Sequence, residues 1–251
     1  MTLEQFFTEV PEAAAAFSGG ADSAFLLWAA KEYGCRIHAY YVKTDFQPAF
    51  ELEDANRLAG MLGIPLTVLE LDILSVREAE ENGQERCYYC KKAIFSRILG
   101  AAETDGFHVL LDGTNASDEA GDRPGMRALR ELQVRSPLRE CGITKARVRE
   151  RSRQAGLFTW DKPAYACLAT RIATGTKICR EDLRRAEQAE RLLAGMGFSD
   201  CRVRLRGKEA LLQVTEAQMC LAVERRTEIC EKLRPVFETV VLDLAAREPS
   251  V

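Results

Sequence analysis

The stretch that decides the fold is SGGADS, residues 18–23, which follows an apolar run at residues 13–17 and opens a helical pattern. Its two adjacent glycines allow a tight turn whose backbone N–H groups can approach a phosphate closely. The helix that follows directs free amides and a partial positive charge at the same anion. Ser18 and Ser23 add hydroxyl donors, whereas Asp22 would repel a bare phosphate and is expected to hold Mg²⁺ on phosphate oxygens. The stretch therefore predicts a phosphate-binding loop.

Strand and helix patterns alternate through the first part of the chain. The strands are predicted at residues 13–17, 36–42, 66–71 and 107–111, and the helices between them at residues 22–33, 49–62 and 91–102. This alternation predicts βαβ units with right-handed crossovers. We therefore expect an α/β fold with a doubly wound parallel sheet and a ligand at the carboxyl ends of its strands.

The pattern changes in the last third of the chain. A helix is predicted over residues 181–196, followed by a β-hairpin whose strands are residues 201–206 and 210–214. The sequence thus predicts a main domain over residues 1–170 and a smaller α+β domain over residues 171–251.

Composition and charge narrow the class of protein. The 251 residues carry a net charge of −3, which argues against bulk affinity for nucleic acid, although residues 123–153 form a basic stretch. No apolar run reaches the roughly 20 residues that span a bilayer, so no membrane association is expected. The opening MTLEQFFTEV lacks the basic and apolar segments of a secretory signal, so we expect a cytoplasmic location.

Several further motifs carry a family resemblance. With these motifs and SGGADS, the chain resembles the LarE family of PP-loop ATP pyrophosphatases. Members of that family have the adenine nucleotide alpha hydrolase-like fold. The motifs that carry the resemblance are RCYYCKK at 86–92, DGTNASD at 112–118, DRPG at 122–125, SPL at 136–138, ACLATRI at 166–172 and RVRLRG at 202–207. It extends over nearly the whole chain, and there is no Walker-type GxxxxGK[ST] motif.

The resemblance implies a reaction. Members of this family adenylate a carboxylate of pyridinium-3,5-biscarboxylic acid mononucleotide, release pyrophosphate and form a thiocarboxylate for the nickel-pincer nucleotide cofactor. It implies an ATP site formed by Ser18, Gly19, Gly20, Asp22, Ser23, Gly113, Thr114, Asn115, Asp118 and Arg123.

The resemblance also implies residues for the acceptor. Arg202 and Arg204 would bind the phosphate of the substrate, with Glu190 as a polar partner, and Arg171 could hold its carboxylate. Arg206 stands where the family often has a histidine, so no role is carried over to it. Trp160 could stack on a ring or serve as a buried anchor.

Cysteines bear on the sulfur source. The chain has nine, an odd number that fits poorly with a disulfide framework. A CxxC pair at Cys87 and Cys90 could be half of a zinc site or a redox pair, whereas with Cys167 it would suit a 4Fe–4S cluster with one open iron. In another branch of the family Cys167 gives up its own sulfur. We favour the cluster, and Cys179 is a competing ligand.

The remaining cysteines are expected to be small buried residues: Cys35, Cys141, Cys201, Cys220 and Cys230. The two histidines, His38 and His108, fall within predicted strands and are not expected to bind metal.

Two rival functions remain open from the sequence. One is a tRNA thiolation enzyme with the same loop and cluster, for which residues 123–153 would be the RNA face. The other is an adenine-nucleotide-binding module without catalysis, against which the intact Asp22 and Ser23 argue. We expect a small-molecule substrate, no nucleic-acid partner and a homo-oligomer.

Overall fold

The computed structural model describes residues 1–118 and 124–248. Contacts within the chain divide it into two units. The first unit consists of Met1–Val76 and Glu85–Lys162, and the second of Arg77–Gln84 and Pro163–Val251. The predicted division between residues 170 and 171 differs from these units, because the second unit starts earlier and also includes a short segment from the first half of the chain.

Regular elements follow one another closely along the described residues. The strands are β1 Glu12–Ala16, β2 Arg36–Lys43, β3 Leu66–Glu70, β4 Leu110–Leu111, β5 Cys201–Arg206, β6 Glu209–Val214 and β7 Thr239–Leu242. The helices are α1 Leu3–Glu9, α2 Ala21–Glu32, α3 Ala49–Leu62, α4 Arg77–Glu80, α5 Arg86–Thr104, α6 Pro124–Glu131, α7 Pro137–Glu140, α8 Lys145–Gln154, α9 Arg180–Gly195, α10 Met219–Glu224 and α11 Arg226–Leu233. Short 3₁₀ turns occupy Ile73–Ser75, Leu168–Arg171 and Glu216–Gln218.

The first unit contains a parallel sheet with the strand order β3-β2-β1-β4. The chain passes from β1 to β2 and β3 on one side and returns to place β4 on the other, so the switch in strand order lies between β1 and β4. The predicted doubly wound α/β fold is confirmed. In such sheets the ligand site forms at the carboxyl ends of the strands beside this switch.

Small residues let helices pack closely on both faces of the central strand. Ala13, Ala14 and Ala15 of β1 are buried, as expected for a strand that is covered on both sides. The helix that follows, α2, buries residues around most of its circumference, including Phe25 and Leu26. The start of α2 is therefore fixed by the core, and the loop of residues 18–23 is held with it.

The second unit is built on a smaller sheet. Strands β5 and β6 form the predicted antiparallel hairpin, and β7 adds a parallel strand beside β6. Residues 77–84 join this unit through Asn82, which is fully buried and has a φ of 56°. Its Nδ2 donates to the carbonyls of Ala173 at 2.9 Å and Thr176 at 3.1 Å. These long-range bonds explain why a segment from the first half belongs to the second unit.

Within the described ranges, none of the helices has the length and apolar character needed to cross a bilayer.

Candidate functional site

The loop of residues 18–23 is shaped by glycine. Gly19 has a φ of +74°, and a Cβ there would lie 2.6 Å from the main-chain oxygen of Glu51 in α3. The hydroxyl oxygens of Ser18 and Ser23 are 3.2 Å apart, and Ser23 Oγ also donates to the carbonyl of Gly20 at 3.2 Å. The loop therefore approaches α3 closely and presents the first turn of α2, whose amides have no partner within the helix.

The segment after β4 lies against this loop. A Cβ at Gly113 would lie 2.8 Å from the backbone nitrogen of Ser23, so the two backbones touch where a larger residue would separate them. Strands β1 and β4, which precede the two segments, are parallel and therefore end at the same edge of the sheet. The structure thus brings together the two segments that the sequence assigned to one nucleotide site.

The carboxylate of Asp22 has partners on both of its oxygens. Its Oδ2 lies 2.6 Å from Lys145 Nζ, and its Oδ1 accepts from Asn115 Nδ2 at 3.2 Å. Both ends of the ion pair are largely shielded from solvent, with 25% and 17% of the side chains exposed. Lys145 was not predicted, because it lies at the start of α8, far from either motif, and no spacing in the sequence points to it.

The other two acids at this edge of the sheet, Asp112 and Asp118, accept hydrogen bonds from neighbouring residues. Asp112 is buried and accepts from Ser136 Oγ at 2.5 Å and from Thr114 Oγ1. Asp118 Oδ2 accepts from the backbone N–H of Asn115 at 2.9 Å. The serine of the SPL motif thus donates to the first acid of the DGTNASD motif and holds it in place.

A cavity of about 370 Å³ opens at this edge. Its polar lining includes Ser18, Gly20, Asp22 and Ser23, and the rest of its lining is largely apolar. The apolar wall consists of Phe17, Tyr40, Val42, Ile94, Phe95 and Ile98. Pockets that bury a planar ligand and fix it with a few polar groups have this composition. Lys91 of α5 also lines the cavity and was not predicted. Arg123, predicted to touch phosphate, lies outside the described residues.

A second lysine, Lys162, contacts the backbone of the loop of residues 18–23. Lys162 Nζ lies 2.6 Å from Asp54 Oδ2 and 3.3 Å from the carbonyl oxygen of Gly19. The neighbouring Trp160 is half-buried, and the guanidinium of Arg153 lies 5.1 Å from the centre of its ring. That face of the indole is therefore covered by a cation of the same unit.

In the second unit, Arg171 is an interior residue. It is 2% exposed, and its Nε and Nη2 lie 2.6 and 3.0 Å from the two oxygens of Glu190. Its remaining nitrogen donates to Thr170 Oγ1 at 2.7 Å. Glu190 is also buried and accepts from Tyr165 and from the backbone N–H of Val203. Each nitrogen of the Arg171 guanidinium and both oxygens of Glu190 thus have partners within the unit, and contact of the pair with substrate stays a prediction.

The three arginines of β5 differ in exposure. Arg202 is buried and donates to Asp200 Oδ1 at 3.2 Å and to the carbonyl of Ala164 at 2.8 Å. Burial, and then the charges of Arg171 and Arg247, lower the pKa of Arg202. Arg204 and Arg206 are exposed, as their alternation on the strand requires. The shared face predicted for the three side chains is thus covered at one end.

Arg204 is held at the surface by two bonds. Its Nε donates to Gln213 Oε1 at 2.6 Å and its Nη1 to the carbonyl of Thr170 at 2.8 Å. Neither partner is a carboxylate, so its charge stays available to an anion. Of the two predicted phosphate ligands, Arg204 is the accessible one.

The three cysteines of the predicted cluster lie in different units. Cys87 is exposed and Cys90 half-buried at the start of α5 in the first unit, whereas half-buried Cys167 precedes the 3₁₀ turn Leu168–Arg171 in the second. Among residues 1–118 and 124–248, no group of three or more histidine, cysteine, aspartate and glutamate side chains is placed to hold a metal ion. The predicted cluster and the role of each cysteine therefore stay predictions.

Only part of the expectation for the other cysteines holds. Cys35 and Cys201 are buried, and burial raises their pKa to about 11 and about 12. Cys141 is half-buried. Cys220 and Cys230 are exposed on α10 and α11, so the prediction that they are buried is wrong. Short helices at the edge of a small unit leave one side to solvent, which the helical pattern alone did not reveal.

Comparison with known proteins agrees with this geometry. The family model for the queuosine biosynthesis protein QueC matches residues 12–83, which include β1, the loop and α2. An uncharacterised protein of Synechocystis is 34% identical over 220 residues, covering 86% of this chain and 81% of the relative. A Methanocaldococcus jannaschii protein, also uncharacterised, is 29% identical over 91% of this chain and 88% of its own length.

A third relative has a named activity. The pyridinium-3,5-bisthiocarboxylic acid mononucleotide synthase of Lactiplantibacillus plantarum is 30% identical over 246 residues, which cover 97% of this chain and 89% of the relative. A match of this length extends over residues of both units. The chain therefore belongs to the LarE family of PP-loop proteins.

Proposed function

We propose that this protein is an ATP-dependent sulfur transferase that converts a carboxylate of pyridinium-3,5-biscarboxylic acid mononucleotide into a thiocarboxylate. The single observation that carries the proposal is the cavity at the carboxyl end of β1, where Gly113 lets the segment after β4 meet the backbone of Ser23 at the start of α2. The relative from Lactiplantibacillus plantarum, named for the bisthiocarboxylate product, supports the choice of acceptor.

ATP fits this cavity by chemistry as well as by position. The amides at the start of α2 and the hydroxyls of Ser18 and Ser23 suit the phosphates, and the apolar wall suits a purine ring. Mg²⁺ is usually held by one or two carboxylates together with the phosphates of the substrate. Asp22 fits this requirement and is the residue that would hold Mg²⁺ on the phosphates.

The first reaction activates the acceptor. A carboxylate oxygen of the substrate attacks the α-phosphorus of ATP, a new P–O bond forms, and the bond to pyrophosphate breaks. The product is an acyl-adenylate, a mixed anhydride with a far better leaving group than the carboxylate had. Positive charge near the departing pyrophosphate lowers this barrier, since it is placed where negative charge develops.

The second reaction brings in sulfur. The Cys167 thiolate, after loss of its proton to solvent, attacks the carbonyl carbon and AMP leaves, which gives a thioester. Loss of the Cα proton of Cys167 then expels the thiocarboxylate and leaves dehydroalanine. The other predicted source of sulfide is a 4Fe–4S cluster, which Cys87, Cys90 and Cys167 would hold. Loss of H₂S from the Cys167 peptide in mass spectrometry would identify this source, whereas intact protein with bound iron and sulfide would favour the cluster.

The direct test is turnover. Anaerobically purified protein is incubated with ATP, Mg²⁺ and the biscarboxylate, and pyrophosphate and thiocarboxylate are measured. Replacement of Asp22 by Asn should lower pyrophosphate release by about 100-fold or more, because the metal loses its protein carboxylate. The exposed Asp161 of the same unit offers a control, and its Asn variant should keep full activity. Full turnover by the Asp22 variant, or no pyrophosphate from the wild-type protein, would refute the proposal.

A further inference from the structure

Lys91 lies in the wall of the cavity that contains the phosphate loop. It belongs to α5, one turn after Cys87, and it is half-buried. The acids of the same cavity all have partners: Asp22 is paired with Lys145, and Asp112 and Asp118 accept hydrogen bonds within their own segment. Among the described residues that line the cavity, Lys91 is the one cation.

The amino group of Lys91 differs from that of its neighbour in the sequence. Lys92 Nζ lies 3.0 Å from Glu131 Oε2 and 2.9 Å from Tyr88 Oη, so its charge is compensated. No hydrogen-bond or ion-pair partner accompanies Lys91 Nζ in the part of the chain that the structure describes. A half-buried positive charge that no carboxylate of residues 1–118 and 124–248 contacts is an unfavourable arrangement unless an anion completes it.

The stem of Lys91 is held in place by α6. A Cβ at Gly125 would lie 3.0 Å from Lys91 Cδ, so the methylene chain packs on the backbone of that helix. Contact of this kind reduces the number of conformations open to a long side chain and limits the entropy that it loses when a ligand binds. The glycine therefore makes room for a lysine that is presented to the cavity.

We infer that Lys91 binds the phosphate chain of ATP in this cavity and stabilises the negative charge that develops on the departing pyrophosphate. The inference rests on the proposed function, because it assigns a ligand group to the same site. A lysine ammonium is a compact point charge with three donors, which suits phosphate oxygens that lack a fixed geometry. Adenosine, which has no phosphate, should not depend on this residue.

The test compares the binding of ATP and of adenosine by calorimetry. In the Lys91→Met variant the Kd for ATP should rise about 10-fold to 100-fold, the range expected for one charge-assisted hydrogen bond, while the Kd for adenosine should change less than about two-fold. Lys91→Arg should recover part of the affinity for ATP. Lys92→Met is the matched control and should bind both ligands as the wild-type protein does.

Each outcome decides the matter. Unchanged binding of ATP by Lys91→Met, or an equal loss for ATP and adenosine, would overturn the inference, the second because it indicates a disturbed pocket. Thermal melting of all variants confirms that they are folded. If the wild-type protein itself binds no ATP, the proposed function fails together with the inference, whereas normal wild-type binding with an unaffected variant sinks the inference alone.

Discussion

The charged residues of the two units are used in opposite ways. Around the first-unit cavity, Lys91 has no carboxylate partner among the residues that the structure describes, and residues at the start of α2 line the same space. In the second unit, Arg171 and Arg202 are buried among acids and carbonyls. The guanidiniums of Arg171 and Arg202 lie 4.8 and 5.0 Å from the ring centre of Tyr165, so both arginines contact the same aromatic side chain.

This difference teaches how to separate binding charge from structural charge. A buried ion pair is strongly destabilising to break, because the remaining partner is left uncompensated. A cation in a cavity wall contributes little to the fold and is available to a ligand. Sequence patterns marked arginines in both units as possible anion ligands, yet only exposure and partners distinguish the two uses.

The largest effect on stability is expected for Arg171→Met. This variant tests whether the buried ion pair of Arg171 and Glu190 stabilises the second unit, on which the comparison depends. The substitution leaves the buried Glu190 carboxylate without its cation, so the free energy of unfolding should fall by about 3–5 kcal/mol. Urea denaturation measures this. Arg171→Met combined with Glu190→Met should recover much of the loss, because neither buried charge remains. A loss below about 1 kcal/mol for the single variant would show that the pair is not structural.

A smaller effect on stability and a specific effect on binding are expected for Gly113→Ala. The new Cβ would press on the backbone of Ser23, so unfolding should become easier by about 1–3 kcal/mol and ATP binding should weaken more than about ten-fold. Titration with ATP and urea denaturation test the two effects. The control is Gly100→Ala on α5, where a Cβ meets nothing and helix propensity predicts a gain of about 0.5–1 kcal/mol. Normal ATP binding by the Gly113 variant would contradict the close approach of the two segments.

The smallest effect on stability is expected for Arg204→Ala. This variant tests the contrast within β5 between the buried Arg202 and the exposed Arg204. Its side chain is exposed and its partners are neutral, so the free energy of unfolding should change by less than about 1 kcal/mol. If it binds the phosphate of the substrate, as predicted, affinity for the biscarboxylate nucleotide should fall about ten-fold. Arg206→Ala is the control, since that side chain is 63% exposed and its partner Glu209 is 3.8 Å away. Equal affinity in both variants would remove Arg204 from the site.

Much of the first unit was predictable because its signals are local. The strand, glycine loop and helix at residues 13–33 were placed within a residue of β1 and α2, and α3 was predicted with its observed bounds. Parallel strands follow from their spacing by helices, and the sheet edge then brings residues 18–23 and 112–118 together. The predicted strand at 107–111 is only Leu110–Leu111, because tertiary packing decides how many residues of an apolar run join the ladder.

The missed features share a physical cause. Lys145, Lys162 and Lys91 reach the loop or its cavity from distant positions, and a lone lysine on a helix or in a loop has no spacing that marks it. Residues 77–84 belong to the second unit through long-range bonds, among them those of the buried Asn82 amide and the backbone bond from Ile178 to Glu80, which no local pattern predicts.

The sequence by itself determined the α/β class, the place of the phosphate loop and the family, because each depends on contiguous residues whose backbone needs are strict. Gly19 illustrates this, since only glycine tolerates both its φ of +74° and its approach to α3. Tertiary structure alone decided which charged side chains face solvent, which are paired and which are left to meet a ligand. Those properties depend on desolvation and on partners far away in the chain, and the spacing of residues in the sequence predicts neither of them.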